Sequence, residues 1–98
     1  MDRVERLLQG SIDMHVHPGP SLMSRSGDSW EFAEQAAAAG MRGIVLKDHH
    51  IPTAAHAYLA NHHLQNAGDF ESFGTICLNN SVGGVNPFAL DAAIKLGI

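Results

Sequence analysis

The sequence predicts an α/β fold with parallel strands, and three observations support this fold class. Strand-like and helix-like segments alternate three times along 98 residues, which is the pattern of parallel strands joined by helical crossovers. The apolar fraction of 45% with only 16% charged residues is typical of a packed domain. The length suits one small domain and is too short for two. We therefore expect a single domain over residues 1–98.

The first strand–helix unit follows a short helical turn at residues 4–8. The run "SIDMHV" (11–16) alternates with period two and ends at a proline-glycine loop, which predicts the first strand. The run "DSWEFAEQAAAAG" (28–40) predicts the first long helix. Asp28 can cap its start, Glu31 can complete a capping box, and Gly40 can supply the left-handed stop.

The second unit begins with "GIVLKD" (43–48), a run too short for a helix and rich in branched residues. These properties predict a strand. Pro52 and Thr53 are placed to open a helix that continues to about Asn66, with Gly68 closing it.

The third unit has the predicted strand "GTICL" (74–78), followed by the loop "NNSVGGVN". Asn86 is a good capping residue and Pro87 suits the first helical position. The last predicted helix therefore starts at Pro87 and ends near Gly97.

The side chains of each predicted strand divide into an apolar set and a polar set. The apolar set is Ile12, Met14, Val16, Ile44, Leu46, Ile76 and Leu78. The polar set is Asp13, His15, His17, Lys47, His49 and Asn79. A parallel sheet between two helix layers should be apolar on both faces, whereas a barrel gathers polar side chains at its mouth. The sequence thus predicts the first three βα units of a TIM-like (β/α) barrel, a partial barrel.

Histidines cluster at the ends of the first two predicted strands. His15 and His17 end the first strand, and His49 ends the second. Neighbouring strands lie ~4.8 Å apart, so these imidazoles could share one cation. Imidazole ligands favour Zn²⁺, with Mn²⁺ and Fe²⁺ as alternatives. His50 is the alternative ligand to His49, and the alternative for the first pair is two hydrogen-bonded core histidines.

These motifs resemble the N-terminal part of the amidohydrolase-like metal-dependent hydrolases, and in particular the polymerase and histidinol phosphatase (PHP) family. Barrels of that family open with HxH on the first strand and carry "TDH" at the end of the second. Here "IDMHVH" and "KDHH" stand in those places, 34 residues apart from His15 to His49. The resemblance covers about residues 11–55. It implies His15, His17 and His49 as metal ligands and hydrolysis of an amide, ester or phosphoester by metal-activated water.

The sequence departs from the family pattern in three respects. Lys47 stands where the family has threonine, and Asn79 or Asn80 stands where it commonly has glutamate. A complete barrel typically needs about 250 residues. We therefore expect either the N-terminal portion of a longer chain or a unit that self-associates.

Five further residues are candidates around this centre. Lys47 and Asp48 are the catalytic candidates, and Arg25, His50 and Asn79 are the candidate contacts to a small-molecule substrate. Lys47 could hold an anionic substrate or act like the carbamylated lysine of some amidohydrolases, although that lysine comes from a later strand. The alternative is an ion pair between Lys47 and an acid such as Asp13.

Composition argues against several classes of function. The net charge is −4 and the six Lys and Arg residues are dispersed, so nucleic acid is not an expected partner. No apolar run approaches the roughly 20 residues of a membrane-spanning helix. Cys77 is the single cysteine, which fits a reducing, cytoplasmic location. The alternative to an enzyme is a non-catalytic barrel fragment or association module, with or without metal.

The remaining histidines fall on the second predicted long helix. His56, His62 and His63 are expected on its solvated surface. Trp30 and Phe32 are expected to serve helix packing.

Overall fold

The computed structural model describes residues 1–98 and contains four α-helices and three β-strands. In chain order these are α1 (Arg3–Leu8), β1 (Ile12–Val16), α2 (Ser29–Ala38), β2 (Gly43–Leu46), α3 (Ala54–His63), β3 (Glu71–Phe73), a 3₁₀ turn (Asn80–Val82) and α4 (Pro87–Lys95). Strands and helices alternate as predicted.

The three strands form one parallel sheet in the order β1-β2-β3. This confirms the α/β class and the parallel strands, which the alternation of strands and helices requires. The sheet is open at both edges. Closure into a barrel therefore stays a prediction.

Local sequence signals set the helix starts. Asp28 caps α2 and Glu31 completes the capping box, as predicted. Asn86 caps α4 through the backbone N–H groups of Phe88 and Ala89. None of the helices has both the length and the apolar character needed to cross a bilayer.

Helix α3 is shorter than predicted, because it ends at His63 and not near Asn66. Leu64 is the C-cap, and Asn66 and Gly68 beyond it have low helix propensity and favour turns. Thr53 lies at the N-cap position of α3.

The third strand lies at Glu71–Phe73 and not at the predicted residues 74–78. Those three residues pair with Gly43–Val45 of β2. The chain then leaves the sheet ladder, because Thr75 exchanges hydrogen bonds with Thr53: the backbone N–H of Thr53 donates to the Thr75 carbonyl over 2.9 Å, and the Thr75 N–H donates to the Thr53 hydroxyl over 2.8 Å. This contact with the start of α3 replaces continued strand pairing.

The predicted face assignment of β1 is wrong at Asp13 and at its neighbours Ile12 and Met14, which are 46% and 70% exposed and do not pack on the core. Asp13 pairs with Ile44 and Val16 pairs with Leu46, so three steps along β1 match two steps along β2. Laterally paired residues point to the same face, so this irregularity puts Asp13 on the face of the buried Ile44. The parity prediction holds beyond it: Val16 packs on the core, and its neighbours His15 and His17 face the opposite side.

The core lies between β2 and helices α2 and α3 and is built largely from alanine. Its buried members are Ala33, Ala36, Ile44, Leu46, Ala57 and Ala60. Small side chains let the two helices approach the strand closely. No helix covers the opposite face of the sheet. Met14 lies on that face and is 70% exposed.

His63 and Trp30 join α3 to α2. Their rings stack with centroids 4.1 Å apart and planes 9° apart, and His63 Nε2 lies 2.5 Å from Glu34 Oε1. The helix-packing role predicted for Trp30 agrees with this contact. His63 is exposed, as predicted, and the prediction missed only its stacking on Trp30 and its contact with Glu34. His56 departs from the prediction of a solvated surface, since its Nδ1 is buried.

Candidate metal centre

The hydrogen bond of His17 to the backbone defines which of its ring nitrogens is free. His17 Nδ1 lies 2.9 Å from the carbonyl oxygen of Lys47. A carbonyl oxygen only accepts, so Nδ1 carries the proton and donates. In the neutral ring, Nε2 then presents a lone pair. Hydrogen bonding of the remote nitrogen to a carbonyl is the usual way in which a metal-binding histidine is oriented.

The free nitrogen of His17 faces His15. The two Nε2 atoms are 2.8 Å apart, and the ring centroids are 4.7 Å apart. Without a cation, His15 Nε2 must carry a proton and donate it to His17 Nε2. Two nitrogens on a tetrahedral zinc, with bonds of about 2.0–2.1 Å, would lie roughly 3.4 Å apart. The pair therefore fits two ligands of one cation after a small widening.

His49 lies next to this pair but does not aim a nitrogen at it. Its ring stacks on that of His17, with centroids 5.1 Å apart and planes 28° apart. No group of three or more His, Cys, Asp or Glu side chains has a metal-binding arrangement. The structure thus brings the three predicted ligands together as neighbours, and the Nε2 atoms of His15 and His17 point toward each other.

The surroundings of His49 favour its neutral ring. Partial desolvation lowers the pKa of His49, and the positive charge of Lys47 lowers it further. Arg25 acts in the same direction. A metal-binding imidazole must be neutral, so these neighbours favour the form that can bind a cation.

The backbone of His49 is held by the segment that replaces the predicted third strand. Asn79 Nδ2 donates to the His49 carbonyl oxygen over 2.7 Å. The Thr53 and Thr75 hydroxyls both donate to the Leu46 carbonyl oxygen, each over 2.7 Å. Asn79, predicted as a substrate contact, therefore uses its amide to position His49.

Asp48 is buried and shapes the turn after β2. Its Oδ1 accepts the backbone N–H groups of His50 (2.8 Å) and Ile51 (3.1 Å). Burial raises the pKa of Asp48, but the His50 N–H, the Ser21 hydroxyl and the Ile51 N–H lower it, and the net pKa lies below the usual value of 3.8. The Ser21 hydroxyl is close enough for this effect, yet Oδ2 has no partner within hydrogen-bond geometry.

A cavity of about 460 Å³ lies beside this turn. Its lining residues are Pro20, Ser21, Leu22, Asp48, His50, Ile51 and Ser81. The His49 and His50 rings are 6.4 Å apart, so His50 connects the histidine cluster to the cavity. This agrees with the position predicted for His50 past the strand end.

Lys47 and Arg25 enter the site through their charges. Lys47 forms no ion pair, so the alternative of a pair with Asp13 is not supported. Asp13 Oδ1 accepts the backbone N–H of His15 over 3.0 Å. Arg25 contacts Met23 Sδ and has a buried Nε without a partner.

Sequence reasoning missed the two serines of the cavity. Ser21 lies in the loop between β1 and α2, and Ser81 lies in the 3₁₀ turn. Serines in such loops are common and carry no spacing signal, so only the tertiary structure brings them to Asp48.

Comparison with known proteins gives one match. The family described as "Family of unknown function (DUF6282)" matches residues 10–98. No curated protein and no solved structure matches the chain.

Proposed function

The chain belongs to the DUF6282 family, and from its histidine geometry we propose that it forms the metal-binding part of a hydrolase. The proposed ligands are His15 and His17, whose nitrogens already converge, and His49, whose stacked ring must turn to direct a nitrogen at the cation. The proposed reaction is hydrolysis of an amide, ester or phosphoester. The proposed scaffold is the first three units of a (β/α) barrel of the amidohydrolase and PHP type, which the strand order β1-β2-β3 suits.

One observation carries the proposal: His17 Nε2 is kept free of a proton and lies 2.8 Å from His15 Nε2. A buried structural histidine would normally use its second nitrogen on a backbone or side-chain group. Here the second nitrogen faces another imidazole, and the pair is partly open to solvent. Convergent imidazole nitrogens with one ring fixed by a carbonyl are typical of metal sites.

The residues around the pair have separable roles in this proposal. The Lys47 carbonyl orients His17, and Asn79 fixes the His49 backbone. A divalent cation at this position would supply Lewis-acid activation of water. The Lys47 side chain adds positive charge that favours the negative charge developing in the transition state.

Metal analysis of the purified protein tests the proposal. We expect about one zinc per chain after dialysis against a zinc-buffered solution, and loss of that zinc in the double variant His15→Ala plus His17→Ala. His62→Ala is the matched control, because His62 is exposed on α3. Absence of stoichiometric metal from the folded wild-type protein would overturn the proposal.

Activity is tested on chromogenic probes of the three substrate classes. We expect p-nitrophenyl acetate, p-nitrophenyl phosphate or a p-nitroanilide to be hydrolysed in a chelator-sensitive manner by the complete protein. Turnover unaffected by a chelator and by the double variant would argue against metal-dependent hydrolysis.

A second candidate function is association, and the surface of the chain favours it. A folded chain of 10.5 kDa exposes about 5,400 Å² on average, whereas this chain exposes 6266 Å². The excess is about the area that one partner buries in a standard interface, roughly 800 Å². Val85 and Phe88, each 87% exposed, contribute to it.

The occupant proposed for this surface is a second copy of the chain. Sedimentation equilibrium tests it, with a concentration-dependent dimer as the expected result. Phe88→Ser should weaken the dimer, and a monodisperse monomer at all concentrations would exclude this function. The same measurement on the double variant His15→Ala plus His17→Ala separates this outcome from metal binding.

A further inference from the structure

Asp48 carries a buried oxygen that the fold leaves without a partner. The residue is 2% exposed, and Oδ1 is fully used by two backbone N–H groups. Oδ2 is also buried, and although the Ser21 hydroxyl lies near the carboxylate, no donor is within hydrogen-bond geometry of Oδ2. An unsatisfied buried polar atom is costly, and more so when it belongs to a carboxylate. Such an atom therefore indicates a group that is absent from the isolated chain.

The space beside this carboxylate is suited to a small molecule. The cavity volume of about 460 Å³ lies within the range of ligand sites, about 300–1,000 Å³. Pro20, Leu22 and Ile51 form apolar walls, whereas Ser21 and Ser81 add hydroxyl groups. A few convergent polar groups within apolar walls are the usual composition of a binding pocket.

We propose that this cavity binds a small primary ammonium compound, whose –NH₃⁺ group donates to Asp48 Oδ2 and whose apolar part contacts Leu22 and Ile51. An ammonium group supplies both the missing hydrogen bond and the opposite charge, which a neutral donor cannot do. An anionic group at the same place would be repelled.

The position of the cavity gives the bound molecule a role. His50 lines the cavity, and its ring follows that of His49 in the row of imidazoles that begins at His15. A molecule held at Asp48 thus lies beside the candidate metal centre. That the ammonium compound is a substrate rests on the proposed function. Its binding to the cavity does not require a metal.

A titration followed by NMR tests the binding. The ¹⁵N-labelled full chain is titrated with n-butylammonium chloride at constant ionic strength and pH 8, with a chelator present. Matched titrations use 1-butanol and sodium butyrate, which have the same chain length and differ in charge. We expect saturable shifts of the amide signals of Leu22, Ile51 and Ser81 with butylammonium only.

Two variants assign the binding to this cavity. Asp48→Asn keeps an oxygen for the two backbone N–H groups and should reduce the affinity about tenfold or more, because a charged hydrogen bond is lost. Leu22→Trp changes a side chain that is 80% exposed and should block the cavity without disturbing the fold. Asp91→Asn, at an exposed acid on α4, is the control and should bind as the wild type does.

The outcomes separate this inference from the proposed function. Equal shifts with 1-butanol and butylammonium, or unchanged affinity in both cavity variants, would overturn the ammonium site and leave only an ordered water to explain Oδ2. Because the titration contains a chelator, failure of zinc to bind His15 and His17 would not affect it. Conversely, zinc binding with no ammonium binding would sink this inference alone.

Discussion

His17 Nδ1 donates to the backbone carbonyl oxygen of Lys47 over 2.9 Å. This bond joins the end of β1 to the end of β2, and it determines the tautomer of His17. The neighbouring backbone N–H of Lys47 donates to the Val16 carbonyl oxygen over 2.8 Å. The two strands are therefore locked together at the point where the candidate ligands leave the sheet.

The tautomer of His17 is directly measurable. Long-range ¹H–¹⁵N NMR spectra of the metal-free protein at pH 8 should show a protonated Nδ1 and an unprotonated Nε2 in His17, and a protonated Nε2 in His15. Addition of Zn²⁺ should then shift Nε2 of both residues. His62, exposed on α3, serves as the internal control and should not respond. An Nε2–H tautomer in His17 would contradict the orientation on which the metal site depends.

The acid stability of the protein should depend on Asp48. Its folded-state pKa lies below the ordinary value of 3.8, so the stabilisation is complete above about that pH and is lost as pH falls through the folded pKa. Urea unfolding from about pH 6 down to pH 2 should show a decline in the free energy of unfolding below pH 4. Asp48→Asn should reduce that decline, whereas Asp91→Asn should retain it. Parallel acid declines in wild type and Asp48→Asn would contradict the prediction.

Local signals were predictable from the sequence, because their causes lie within a few residues. The capping box of Asp28 and Glu31 formed as predicted, and Pro87 begins α4. The candidate site was predictable in part. Parity and strand order put His15, His17 and His49 side by side, and this needed only the two-residue repeat of a strand.

Features that depend on tertiary contacts could not be predicted. The irregularity after Asp13 exists only in the pairing with β2, and it moves that carboxylate to the helix face. The segment 74–78 has strand-forming residues, yet hydrogen bonds to Thr53 compete successfully with the sheet ladder. The unpartnered oxygen of Asp48 is likewise a property of the folded turn.

The contact between Trp30 and His63 should stabilise the helix pair. The two ring centroids are 4.1 Å apart, and Trp30, on α2, is 45% exposed. Trp30→Ala should lower the free energy of unfolding by about 1–3 kcal/mol, from lost apolar burial together with the aromatic pair. Tyr58→Ala is the matched control, because Tyr58 is 68% exposed and stacks on His62 of its own helix. Equal losses in the two variants, measured by urea unfolding, would show that the interhelical contact adds nothing.

The buried hydroxyl of Thr53 should matter both for stability and for the position of His49. Thr53 is 0% exposed, its hydroxyl donates to the Leu46 carbonyl over 2.7 Å, and it accepts the Thr75 N–H over 2.8 Å. Thr53→Val has nearly the same shape but leaves the partly buried Thr75 N–H without its acceptor, so it should cost about 1–3 kcal/mol. It should also shift the backbone signals of His49, because the segment from Thr75 to Asn79 reaches the His49 carbonyl.

Thr53→Ser separates the hydroxyl from the methyl group of the side chain. It keeps both hydrogen bonds and removes one methyl, so the loss should be about 1 kcal/mol and the His49 signals should stay in place. Urea unfolding and ¹H–¹⁵N spectra of the two variants provide the measurement. If Thr53→Ser lowered the free energy of unfolding as much as Thr53→Val does, packing of the methyl group would account for the stabilising effect of Thr53. The hydrogen-bonded link from the start of α3 to the candidate metal centre would then lose its support.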